Sequence, residues 1–306
     1  TDFSNLQDVE RSIADAHAQG LKVLLDFHYS DRWADAKTQI VPDFWRDTPT
    51  DAALAKKLHD YTGLVLLALN QAGLGPDMVQ IGNETNSELM VKTPWTPGRT
   101  IDWRRNALLF NAAIAGVHDV DARLTIKPRI ILHIAQPENA MAWFTAATAA
   151  GVRGYDIIGL SYYPKWSRED LAQLGDSISA LQARFGKQVM IVETAYPATL
   201  ANGGFPAPDP DQGETKTAAQ TLLPGFPATP AGQNAFLIAL TRTVMRHGGI
   251  GVIDWEPARV DVRCWGRARS DGNTGWQNAT WFDRSGGLYP GLTWMQHDYS
   301  ARNEHG

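Results

Sequence analysis

The feature that most constrains this chain is the alternation of short apolar runs with longer amphipathic ones. β-rich runs fall at 23–27, 78–81, 130–134, 156–161, 189–192 and 250–255. Helical periodicity fills the stretches between them, at 51–72, 100–120, 138–150, 168–185 and 232–247, and Val9, Ile13, Ala16 and Ala18 mark one more helix ahead of the first run. Strands separated by helices of this length pair in parallel, because the crossover returns the chain to the same end of the sheet. Gly20, Gly73, Gly151, Gly186 and Gly248 each sit between a helix and the next strand, where a left-handed residue ends a helix. The predicted fold is therefore α/β, a (β/α)8 barrel with six strands visible. Eight are needed for closure, so two βα units are expected ahead of Thr1, and residues 1–306 are read as one barrel domain lacking them.

Composition removes several classes of partner. At 306 residues and 43% hydrophobic content the chain can bury a large core. A formal net charge of −5 disfavours nucleic acid and anionic lipid, and no apolar run has the length of a membrane span. The single cysteine, Cys264, excludes an internal disulfide and reads as a small apolar core residue. Eleven tryptophans are unusual for a barrel, whose interior favours Val, Ile and Leu. Trp33, Trp95, Trp166, Trp255, Trp265 and Trp276 lie in polar, Gly- or Pro-punctuated stretches, where an indole either stacks on a sugar ring or pins a loop. The Gly/Pro-rich stretch 198–230 reads as a long, functional loop.

Polar residues collect at the ends of the apolar runs: His28-Tyr29-Ser30-Asp31, Gly82-Asn83-Glu84, Ala135-Gln136, Tyr162-Tyr163-Pro164, Glu193-Thr194-Ala195-Tyr196 and Asp254-Trp255-Glu256. In a parallel barrel these C-terminal ends share one face, and that face holds the catalytic groups. Glu84 and Glu193 each follow an apolar run directly. Glycoside hydrolysis needs such a pair, one carboxyl to protonate the leaving oxygen and one to attack the anomeric carbon or activate water. Taken singly, Glu84 could instead cap a helix beginning at Thr85, and Glu193 could form a structural ion pair. Asp26 and His28 could equally be scaffold residues.

Six segments carry a resemblance: LKVLLDFHYSDRWAD (21–35), VQIGNE (79–84), DIIGLSYYPKW (156–166), VMIVETAYP (189–197), PGFPATPAGQ (224–233) and GVIDWEPA (251–258). Together they resemble the arabinogalactan endo-β-1,4-galactanases of glycoside hydrolase family 53, within a clan of retaining (β/α)8 enzymes. The resemblance implies that Glu84 is the general acid/base and Glu193 the nucleophile. It also implies that Asn83, His28, a tyrosine (Tyr162 or Tyr163) and Trp255 line the sugar site before the scissile bond. Asp26, Trp166 and Trp276 complete the candidate substrate-binding set. Departures from the family pattern at Asp35-Ala36-Lys37, Arg259 and Trp276-Gln277-Asn278 fall on distal subsites.

The resemblance further implies a polysaccharide partner, β-1,4-galactan of pectin side chains, and a monomeric enzyme that is secreted or periplasmic. No cofactor is implied; some members of the family carry calcium in a late loop, but Asp271-Gly272-Asn273 is suggestive yet short of a liganding loop, so no metal is expected. The isolated chain is expected to be a poor enzyme without the upstream units. Three rivals differ in substrate or class: hydrolysis of mannan or cellulose, a metal-dependent hydrolase using His28 and Asp26, and a non-catalytic glycan-binding barrel. No His-x-His pair or His/Glu helix pair supports the metal reading.

Overall fold

In the computed structural model, residues 5–96, 98–200, 222–258, 278–283 and 285–300 are described below. Among them, six strands form one sheet in chain order: β1 (Leu24–Phe27), β2 (Met78–Ile81), β3 (Arg129–Ala135), β4 (Ile157–Ser161), β5 (Gln188–Thr194) and β6 (Val252–Asp254). The β1–β2, β2–β3 and β5–β6 pairs are parallel. Between the strands run α2 (Asp51–Gln71), α3 (Trp103–His118), α4 (Pro137–Ala149), α5 (Leu171–Phe185) and α6 (Pro230–Arg246), with α1 (Leu6–Ala18) ahead of β1. This is a partial (β/α)8 barrel, as the alternation predicts.

Helix boundaries follow capping chemistry more closely than periodicity. The pattern at 100–120 becomes a helix only from Trp103, because Asp102 turns its carboxylate back to accept from the Arg105 N–H. The pattern at 168–185 starts at Leu171, where Asp170 and Gln173 form a reciprocal capping box. All five glycines expected to end helices have positive φ, between 64° and 88°. No helix among the described residues is long and apolar enough to cross a membrane.

The chain divides into two compact units. The first comprises Thr1–Ala135 and Asn139–Gly159; the second comprises Gln136–Glu138 and Leu160–Gly306. The core of the first unit is built on α2 and α3. Leu58, Leu66 and Leu69 of α2 and Leu109, Phe110, Ala113 and Val117 of α3 are fully buried. Gly116 explains how closely these helices approach: a Cβ there would lie 2.4 Å from the His59 carbonyl oxygen. A glycine inside a helix costs about 1 kcal/mol of propensity, which the close packing offsets. In the second unit α5 and α6 bury Leu174, Ile178, Leu181, Phe236, Leu237, Leu240 and Val244. Tyr196 and Phe236 stack there with ring centroids 4.3 Å apart.

Candidate active site

In the first unit the end of β2 turns sharply. Gly82 has φ 81° and Glu84 has φ 45°, so a non-glycine residue occupies the left-handed region. That conformation costs on the order of 1–3 kcal/mol and persists only where the surroundings enforce it. Five hydrogen bonds do so here. The Glu84 N–H donates to His133 Nδ1 at 3.2 Å, and Thr85 donates to the His133 carbonyl through both its N–H and its hydroxyl, at 2.9 and 3.0 Å. The Gln39 side-chain amide donates to the carbonyls of Asn83 and Glu84, at 2.7 and 3.3 Å. The stretch after Glu84 is irregular, and the next helix starts at Trp103, so Glu84 caps no helix.

Asn83 is buried, and its amide orientation is defined by donation from Nδ2 to the Ala34 carbonyl at 2.9 Å. Its Oδ1 therefore faces Gln80 Nε2 and His133 Nδ1. His133 is fully buried in β3, and burial pushes its pKa down to about 4, so the ring is neutral near pH 7. Its Nδ1 meets two donors, the Glu84 N–H and the Gln80 amide at 3.0 Å, and one acceptor, Asn83 Oδ1 at 3.1 Å. That balance favours the tautomer with Nδ1 bare and the proton on Nε2.

His28 and Asp26 meet beside this turn, with His28 Nε2 3.2 Å from Asp26 Oδ2. Burial opposes charge on His28, but the hydrogen bond to Asp26 and the negative fields of Asp26 and Glu84 prevail, so its pKa lies above the usual histidine value. Trp33 stands edge-on to the His28 ring at 5.8 Å and is 57% exposed. Asp26, His28, Asn83 and Glu84 are thus gathered as the sequence suggested. His133, Gln80 and Gln39 were not anticipated. His133 had one visible signal, a lone histidine in an otherwise apolar strand, at a position that strand alternation shares with Ile131 and Ala135.

In the second unit the chain after β4 separates the two candidate tyrosines. Tyr163 donates its hydroxyl to Glu193 Oε2 at 2.9 Å. Tyr162 is fully buried and spends its hydroxyl on the Glu169 carbonyl at 2.9 Å. Tyr163 is therefore the one that touches the carboxylate, and Tyr162 serves packing. Glu193 itself is buried near the end of β5. Trp166 stands edge-on to Tyr163 at 5.2 Å and is 42% exposed. Trp255 is partly buried against Tyr163, Ala195 and Ala279, and its backbone N–H donates to the Thr194 carbonyl at 2.7 Å. Neither indole is sealed from solvent. Trp276 lies outside the described residues, as do Cys264, Arg259, Asp271 and most of the 198–230 stretch.

Two strand-end glutamates, one with its backbone pinned by His133 and Gln39 and one with its carboxylate held by Tyr163, accompanied by partly exposed indoles, define a glycoside hydrolase of the parallel-barrel class. The chain belongs to glycosyl hydrolase family 53, whose model matches residues 1–295. It is 43% identical over 306 residues to an arabinogalactan endo-β-1,4-galactanase of Cellvibrio japonicus, covering 98% of this chain and 78% of that protein. It is 30% identical to an arabinogalactan endo-β-1,4-galactanase of Thermothelomyces thermophilus, over 92% of this chain and 79% of that one. Among solved structures, the family 53 catalytic domain of Ignisphaera aggregans superposes with a TM-score of 0.81 at 27% identity, covering 95% of this chain and 78% of that one. A structure from a study of two fungal β-1,4-galactanases gives 0.77 at 28% identity, covering 96% and 82%.

Proposed function

We propose that this chain is an endo-acting, retaining β-1,4-galactanase that cleaves (arabino)galactan side chains of pectin. The observation that carries the substrate is the 43% identity to the Cellvibrio japonicus arabinogalactan endo-β-1,4-galactanase. The site chemistry is consistent with it. Glu84 is the acid/base: it gives its proton to the leaving glycosidic oxygen, then takes one from the incoming water. Glu193 is the nucleophile. It attacks the anomeric carbon as a carboxylate, and the Tyr163 hydroxyl stabilises and orients the attacking oxygens. Retention requires the two carboxyls to lie about 5–5.5 Å apart, too close for a water to enter behind the sugar. This reading treats both compact units as one catalytic domain.

Asn83 keeps one of its two amide hydrogens for a sugar hydroxyl, the other being spent on Ala34. His28 supplies a donor near Glu84, with its charged form favoured by Asp26, and Trp166 and Trp255 supply ring faces for stacking. The enzyme acts as a monomer outside the cytoplasm, where its polymeric substrate is found.

The test is made in the full-length protein. It should release reducing sugar from galactan and leave mannan and carboxymethylcellulose intact, with the β-anomer formed first by NMR. Glu193→Ala should be rescued by azide to give a product of inverted configuration, and Glu84→Ala should spare substrates with good leaving groups. An azide product of inverted configuration from Glu84→Ala in its place would reverse the roles.

A further inference from the structure

A second cavity in the first unit takes no part in the chemistry above. It encloses about 560 Å³ and is lined by residues of the loops that follow β1 and β2 and of the first turns of α2 and α3. Four cations line it, Arg46, Lys92, Arg99 and Arg105, against two carboxylates, Asp51 and Glu88.

The hydrogen bonds show which of these charges are already committed. Glu88 is 5% exposed and is met by Arg105 Nη1 at 3.1 Å and Arg99 Nη2 at 3.4 Å. Arg105 is used up: Nε binds Asp51 at 3.0 Å, Nη1 also binds the Leu89 carbonyl at 2.6 Å, and Nη2 binds the Met90 carbonyl at 2.8 Å. One guanidinium therefore bridges both carboxylates. Arg46 leans on Asp43, which lies outside the cavity lining, and on the Lys92 carbonyl. Arg99 gives Glu88 a single long hydrogen bond and lies over the Trp95 ring at 5.2 Å, so much of its donor fork is unspent. Lys92 Nζ has no hydrogen-bond or ion-pair partner among the described residues. Thr48 Oγ1 is buried on the same wall without a hydrogen-bond partner. Unpaired donors and excess positive charge in a concave site call for an anion. A part-free guanidinium beside an ammonium suits a carboxylate in particular.

Trp45 lines this cavity and also the groove that contains Asp26 and His28. A ligand seated here thus lies one side chain away from a groove that holds two of the candidate substrate-binding residues, Asp26 and His28. We propose that the cavity binds the carboxylate of an acidic sugar residue, a uronate, carried by the same polymer as the neutral chain that is cut, with Lys92 and Arg99 as its ligands. The proposal rests on the galactanase reading for its polymer and on the charges of the cavity for its anion.

The experiment is calorimetry of the full-length protein with trigalacturonate, alongside hydrolysis of neutral galactan by the same preparation. Binding should be measurable, weaken as salt is raised, and fall by about tenfold or more in Lys92→Glu as attraction turns to repulsion. Galactan hydrolysis by Lys92→Glu should be unchanged, which also shows that the variant folds. Inorganic phosphate should bind more weakly than trigalacturonate. Hydrolysis without trigalacturonate binding would overturn the site and leave the galactanase reading standing. Binding without hydrolysis would do the reverse. Equal affinity of Lys92→Glu and the parent, or phosphate binding as well as the trimer, would also overturn the proposal.

Discussion

Removing the His133 imidazole tests whether a buried neutral histidine holds Glu84, the proposed acid/base, in place. In His133→Leu the Glu84 N–H loses its acceptor at 3.2 Å, and the Gln80 amide loses a partner at 3.0 Å. An unsatisfied buried donor costs about 1–3 kcal/mol. The left-handed backbone at Glu84, φ 45°, also loses one of its restraints. A combined loss of roughly 2–4 kcal/mol is expected. For a chain of this length that lowers Tm by roughly 3–6 °C. In the proposed mechanism, relaxation of the turn would also move the Glu84 carboxyl off the leaving oxygen. A misplaced acid should lower kcat about 10–100-fold on galactan, and much less on an aryl galactoside whose leaving group needs no proton. His133→Asn is the control, because its Oδ1 can occupy the place of Nδ1 and accept the same N–H. Thermal unfolding and kcat/KM on both substrates would be measured for the two variants. Leucine leaving Tm and galactan turnover unchanged, or asparagine faring no better than leucine, would refute the reasoning.

Three further outcomes are expected. The His28 pKa is raised, so the stabilisation it contributes is fully present below about pH 6.5, the unfolded value, and is lost as pH rises through the folded value. Asp26→Asn should lower the His28 pKa in an NMR titration and narrow the stability difference between pH 5 and pH 8; an unmoved His28 pKa would rule the pairing out. Gly116→Ala should cost about 1–3 kcal/mol in urea unfolding by forcing its Cβ against the His59 carbonyl, and a neutral result would mean that the two helices separate freely. Trp255→Ala should raise the barrier read from kcat/KM on galactan by about 1–3 kcal/mol through lost ring contact, and an unchanged kcat/KM would make this indole a scaffold residue.

What the sequence determined was periodic or chemical in character. The six strands and the helices between them follow from runs of apolar residues repeating at the strand or helix period, and each strand was located to within about two residues of its observed ends. Strand-end chemistry singled out Glu84 with Asn83, Glu193 and the tyrosine pair, because a parallel fold sends every strand's C-terminal end the same way. The helix starts were misjudged wherever a cap competed with periodicity, as at Asp102 and Asp170, since a cap stops a helix that the apolar pattern would extend.

Contacts between residues distant in sequence could be decided only by the tertiary structure. Tyr162 and Tyr163 are indistinguishable in the sequence. They part because successive residues there point to opposite sides, one into the packing around Glu169 and one onto Glu193, thirty positions away. His133 is a single histidine in an apolar run, with no local motif around it. Its role comes from a hydrogen bond to the backbone of Glu84 across |i−j| = 49, which no local pattern encodes. The same holds for Gln39, whose amide reaches the Asn83 and Glu84 carbonyls from an earlier loop. A side chain's partner is set by the three-dimensional path of two separated segments, whereas its chemistry is set by its own identity. The carboxylates could therefore be read directly, and the groups that hold them could not.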